Sequence, residues 1–104
     1  MYTIIETELF SRKSRGVWTE EERGAFGAYL AVNPEAGDVV KGSGGCRKVR
    51  WSRAGSGKSS GVRVIYFNRI GSGEIWLLTL YTKANTASIP AHILKAIKEE
   101  IEND

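Results

Sequence analysis

Lys48 and Arg50 alternate with Val49 and Trp51 within residues 46–52. On a strand this spacing sends the two cations to one face and the two apolar residues to the other. Arg63 opens the next β-forming run, and Lys83 follows the last one. If these runs are neighbouring strands, four basic groups converge at one edge of a sheet. Crowded cations raise the cost of each positive charge, so a lysine among them titrates lower and becomes able to move protons near neutrality. Arginine keeps its proton and instead stabilises negative charge developing on a phosphate. Such a cluster is equipped to cleave RNA without a metal or a histidine: a ribose 2′-hydroxyl is deprotonated and attacks the adjacent phosphorus. DNA lacks that hydroxyl and is immune.

The charge map supports an anionic partner. The 104 residues carry 15 basic and 12 acidic side chains, a formal net charge of +3. Between Asp38 and Glu74 lie Lys41, Arg47, Lys48, Arg50, Arg53, Lys58, Arg63 and Arg69, and no acid. The acids gather instead at Glu20, Glu21 and Glu22 and near the end, at Glu99, Glu100, Glu102 and Asp104. Five of the eight central cations are arginines, whose rigid fork matches phosphate oxygens. A basic middle flanked by acidic ends is the footprint of a chain that grips phosphates, although a solvated charged face gives the same count.

Other candidate motifs carry less. Gly57-Lys58-Ser59 echoes a phosphate-binding loop, but that motif needs a glycine five residues before Gly57, where Ser52 stands. Lys58 reads instead as a cation reaching a backbone phosphate. One cysteine and one histidine exclude an internal disulfide framework and supply too few soft ligands for a structural zinc, so neither metal nor cofactor is expected. His92, alone near the start of a helix, reads as structural. Cys46 lies beside Arg47, which would lower its pKa, but its place at a strand start favours a small packing residue. Trp51, Tyr66, Trp76 and Tyr81 alternate with aliphatic residues as core strand residues do, with one or two of them available to stack on a base.

The elements that must position these groups follow from local patterns. Residues 2–6 form a short β-branched run, a first strand. Thr19 and Glu22 have capping-box spacing, and Asn33-Pro34 supplies a stop, so a helix is expected over residues 20–32 with Phe26 and Leu30 on its apolar stripe. Residues 12–17 fit either a loop or an earlier helix. Gly42, Gly44 and Gly45 mark a tight connection before the strand at residues 46–52, and residues 55–61 read as a glycine- and serine-rich loop. Residues 62–68 and 75–82 are further strands, joined by a turn at residues 70–74. Ser88 and Pro90 open a last helix, with Ile93, Leu94, Ile97 and Ile101 on one face. The expected fold is α+β, a small antiparallel sheet packed with one N-terminal helix or more and one C-terminal helix, in a single domain spanning residues 1–104. No run approaches 18 apolar residues, and Glu6 and Glu8 interrupt the one candidate for a secretory core, so no membrane partner and a cytoplasmic location are expected.

An ordered set of short motifs resembles the RelE/HigB superfamily of bacterial toxins, in its HigB-like branch. It runs through Asn33-Pro34, Gly37-Asp38-Val39-Val40, Gly42-Ser43-Gly44-Gly45 and Arg47-Lys48-Val49-Arg50. It continues through Gly55-Ser56-Gly57-Lys58 and Gly61-Val62-Arg63-Val64-Ile65-Tyr66 to Leu77-Leu78-Thr79-Leu80-Tyr81 and Lys83. The resemblance implies a small ribonuclease that enters the ribosomal A site and cuts translated mRNA, neutralised by an antitoxin of helix-turn-helix, HigA-like type. It implies that Lys48 and Arg50 are the basic pair on the strand before the loop, that Arg63 holds the scissile phosphate, and that Lys83 is the basic residue after the last strand. Lys48 or Lys83 would then handle protons while Arg50 and Arg63 hold the phosphate. Arg47, Arg53, Lys58 and Tyr81 would contact RNA or the ribosome.

The chain departs from the pattern at one place. Some relatives carry a tyrosine in the C-terminal helix, whereas here that region reads Ala87-Ser88-Ile89-Pro90-Ala91-His92. His92 or Tyr81 substitutes, or the step is dispensable. Two other readings remain: a toxin-fold protein that poisons a target by binding, as the gyrase-inhibiting cousins do, and a plain RNA-binding module. The convergent set of Lys48, Arg50, Arg63 and Lys83 argues against the first, because a pure binder does not need it; the second would show steep salt-dependent binding with no cleavage products.

Overall fold

The computed structural model describes residues 2–51, 61–82 and 89–103. The order of elements is β1 (Thr3–Glu6), α1 (Glu8–Ser14), α2 (Glu20–Val32), β2 (Asp38–Val39), β3 (Arg47–Trp51), β4 (Val62–Arg69), a 3-10 turn at Ile70–Ser72, β5 (Glu74–Thr82) and α3 (Ala91–Glu102). The strands form one sheet in the order β1-β5-β4-β3-β2. β2 to β5 pair antiparallel, while β1 joins the edge of β5 in parallel. The expected α+β class, the antiparallel sheet, the N-terminal helices and the C-terminal helix are all present.

Local chemistry explains most of the boundaries. α2 begins at the capping box: Glu22 N–H donates to Thr19 Oγ1 at 3.1 Å, and Thr19 N–H donates to Glu22 Oε1 at 3.0 Å. It ends at Asn33, one residue before Pro34, as expected. Residues 12–17, ambiguous in sequence, divide between the end of α1 and the connection to α2. Seven residues are too few to hold a helix by propensity alone. α1 is held instead by Thr7, whose Oγ1 caps Phe10 N–H at 3.1 Å and donates to the carbonyls of Leu77 and Leu78 on β5. Phe10, fully buried, then anchors the helix in the core.

The sheet separates two cores. On one face α1 and α2 place Phe10, Phe26 and Leu30 against Val49, Val62, Val64, Tyr66, Ile75, Leu77 and Leu80. Burying one such side chain contributes about 1.5–3 kcal/mol. On the other face Leu94 of α3, with Ile97 and Ile101 beside it, packs on Cys46, Ile65, Phe67 and Leu78. A register shift in β4–β5 between Ile65 and Tyr66 lets Leu78 and Thr79 both serve this second face. The β2–β3 connection turns under α3: Gly44 has φ +76°, and a Cβ there would stand 3.1 Å from Lys95 Cγ. Among the described residues no helix is long and apolar enough to cross a membrane.

Candidate nucleic-acid interface

Alternation along β3 works as the sequence indicates. Val49 is buried and Trp51 half-buried against α2, while Lys48 and Arg50 are exposed on the opposite face. That is the face α3 covers, but α3 packs toward Cys46, Phe67 and Leu78, and among the described residues Lys48 and Arg50 toward the other end stay exposed.

The strand register decides what meets at this end. Arg50 lies directly opposite Arg63, and Arg63 directly opposite Tyr81, so the three form one row across β3, β4 and β5. Residues directly opposed in antiparallel strands share a face, with Cβ atoms about 4.5–5.5 Å apart. The neighbouring row runs Asp38, Lys48, Ile65 and Thr79 across β2 to β5. Lys48, Arg50, Arg63 and Tyr81 therefore stand together. Arg63 Nη1 donates to Gly61 O at 3.3 Å, the one hydrogen bond its fork makes among the described residues. Lys48, Arg50 and Tyr81 make no side-chain hydrogen bond or ion pair with the other described residues. Tyr81 packs at the edge of the second core, as does Ile89 just before α3. Unneutralised cations on a solvent-facing sheet, beside a partly exposed ring, can hold a phosphate and a base together.

Not every candidate reaches this row. Arg47 alternates to the other face and is half-buried there. Its Nη1 donates to Gly37 O at 2.7 Å, and its Nη2 lies 3.6 Å from Glu35 Oε2. Its fork is occupied with bracing the chain before β2, so the structure does not place it as an RNA contact. Arg69 pairs with Glu74 at 3.7 Å, at the far end of β4. Lys83, Arg53 and Lys58 lie outside the described residues, as does Ser88.

The other singled-out residues sort by burial. Tyr66 is fully buried; Trp51 meets Phe26 edge-on at 5.4 Å and Tyr29 at 5.2 Å; Trp76 stacks on Phe67 at 6.5 Å. These three are packing residues, and Tyr81 alone of the four joins the basic row. Cys46 is fully buried, and burial pushes its thiol pKa up despite a hydrogen-bond contact with Ser43, which argues for packing over reactivity. His92 is exposed in the first turn of α3.

One residue at this site went unnoticed in sequence. Asp38 lies directly opposite Lys48, and both are exposed. Its strand is only two residues long, and an acid closing a basic run gives no sign of its face. A braced glycine holds it there. Gly37 N–H donates to the buried Tyr66 hydroxyl at 3.1 Å, Tyr66 donates on to Pro34 O at 2.9 Å, and Arg47 takes up Gly37 O. A Cβ on Gly37 would stand 2.6 Å from Lys48 O, so the close approach of this segment to β3 requires glycine.

No family model matches the sequence. Solved structures do resemble it. A chain of the intact E. coli RelBE toxin–antitoxin complex superposes with a TM-score of 0.60 at 17% identity, covering 79% of this chain and 96% of that one. A double arginine-to-alanine mutant of E. coli RelE in the free state gives 0.60 at 18% identity, covering 94% and 96%. The isolated E. coli RelE toxin gives 0.60 at 17%, covering 96% and 99%. Likeness at such low identity is a likeness of fold, and in the two structures of RelE alone it spans nearly all of both chains: this chain has the RelE fold.

Proposed function

We propose that this chain is the toxin of a type II toxin–antitoxin pair, in the HigB-like branch, and that it acts as a ribosome-dependent endoribonuclease on translated mRNA. The observation that carries this reading is the row Arg50–Arg63–Tyr81 with Lys48 beside it, on the sheet of a RelE fold. The two guanidinium forks hold the scissile phosphate and stabilise the charge that builds on its oxygens. Lys48 or Lys83 handles protons, and Tyr81 offers a ring to a neighbouring base. The 2′-oxygen bonds to phosphorus, the bond to the 5′-oxygen breaks, and the products are a 2′,3′-cyclic phosphate and a 5′-hydroxyl. The step calls on no metal.

The partners are mRNA in the ribosomal A site and an antitoxin of HigA-like, helix-turn-helix type; one structural neighbour is a chain of a toxin–antitoxin complex, which supports the second. Such a target places the protein in the cytoplasm.

Mapping mRNA 5′ ends in cells after a brief pulse of the protein, beside an Arg63→Ala control, tests the reading. New ends inside translated regions, absent from the control, are expected. Growth arrest with intact mRNA would replace the nuclease with a binding poison, and salt-sensitive RNA binding without cleavage or toxicity would leave an RNA-binding module.

A further inference from the structure

We infer that Asp38 is the proton acceptor of the site, the group that takes the proton from the attacking 2′-hydroxyl. This rests on the nuclease reading above and assigns a role that reading leaves to a lysine. The argument begins with what each side chain can do at rest. Near neutrality ordinary ammonium, guanidinium and phenol groups hold their protons, and an ordinary carboxylate has lost its own. The row of Lys48, Arg50, Arg63 and Tyr81 holds hydrogen-bond donors and charge stabilisers but no carboxylate. Asp38 supplies one.

Its position suits the task. The register sets Asp38 opposite Lys48 and diagonal to Arg50. Diagonal neighbours on antiparallel strands lie about 7–8 Å apart, so a phosphodiester held over Arg50 and Arg63 brings its ribose within reach of a carboxylate from β2. Asp38 is exposed and makes no ion pair or side-chain hydrogen bond with the other described residues, so its oxygens are open to a substrate. The chain before it is pinned by the Tyr66–Gly37–Arg47 brace.

The step balances without a further reactant. The 2′-oxygen loses its proton to the Asp38 carboxylate as its bond to phosphorus forms. The bond from phosphorus to the 5′-oxygen breaks, and that oxygen receives a proton from the Lys48 ammonium, which the register sets opposite Asp38. The carboxylic acid and the neutral amine left behind are restored by one proton passing between them or through solvent.

The test is single-turnover cleavage of mRNA on translating ribosomes by purified wild-type protein, Asp38→Asn and Asp38→Glu, with melting curves to establish folding. Each is run on an ordinary linkage and on one whose 5′-oxygen is replaced by sulfur, a leaving group that needs no proton. Asp38→Asn is expected to lower the rate by about 10²–10⁴-fold on both linkages, with Asp38→Glu retaining part of it. An Asp38→Asn rate equal to wild type, or restored to wild type by the sulfur linkage, would overturn the assignment while leaving the nuclease intact. A wild-type protein that cuts no translated mRNA would overturn the nuclease and this inference with it.

Discussion

Arg50 and Arg63 face each other directly across β3 and β4, two guanidinium groups in one cross-strand pair. Like charges so placed destabilise a sheet, typically by a few tenths to about 1 kcal/mol. An arrangement that costs stability and gives the two forks only the Gly61 carbonyl as partner among the described residues suits an anion site. Replacing either arginine by alanine should therefore leave the chain as stable as before or raise its stability by about 0.2–1 kcal/mol, while cutting RNA cleavage by about 10²–10³-fold. Urea unfolding beside a cleavage assay measures both. A loss of stability matching the loss of activity would make the arginines structural.

Gly37→Ala should be costly although it adds one methyl group. The new carbon would meet the Lys48 carbonyl at 2.6 Å, and backbone inside a sheet cannot step aside. Overpacking of this kind costs about 1–3 kcal/mol, and here it also displaces Asp38 and Lys48. Unfolding midpoints should fall accordingly; a substitution without effect would mean that the segment is not pressed against β3.

Tyr66→Phe removes a single oxygen from the centre of the sheet. Pro34 O keeps its bond from Asn68 Nδ2 at 2.9 Å, but the Gly37 N–H loses the acceptor it had at 3.1 Å. A buried donor left unpaired costs about 1–3 kcal/mol. Hydrogen exchange should show Gly37 losing protection first, ahead of residues in β4 and β5.

Alkaline pH should weaken the fold. Burial raises the Cys46 thiol above its ordinary 9.0 and the Tyr66 phenol above its ordinary 10.0. Both groups thus stay protonated in the folded chain where the unfolded chain has begun to ionise, so the folded form binds more protons. Stability is complete below the unfolded values and declines as pH rises past them, by at most about 1.4 kcal/mol per pH unit for each group. Urea unfolding from about pH 8 to about pH 11 should show the decline, and Cys46→Ala should remove its earlier part. A flat profile in the wild-type protein would contradict the burial argument.

Local signals were legible in sequence. The Thr19–Glu22 box and Asn33-Pro34 bound α2, and the alternation of Lys48 and Arg50 with Val49 and Trp51 assigns their faces. These depend on neighbours within a few residues, where capping and side-chain period act. α1 was not legible, because its hold comes from Thr7 reaching Leu77 and Leu78, about 70 positions away in the chain. The parallel seat of β1 against β5 was hidden for the same reason.

The amino-acid order alone determined the class of the fold, the extent of its long elements and the face on which Lys48 and Arg50 would stand. Only the tertiary structure decided that Arg63 opposes Arg50, that Tyr81 completes their row, that Arg47 turns away to brace Gly37, and that Asp38 meets Lys48. The reason is the strand period of two. A slip of one residue between β3 and β4 would send Arg63 to the opposite face, and nothing within either strand forbids that slip. The two cores forbid it, because Val62, Val64 and Tyr66 must meet α1 and α2 while Ile65 and Phe67 meet α3.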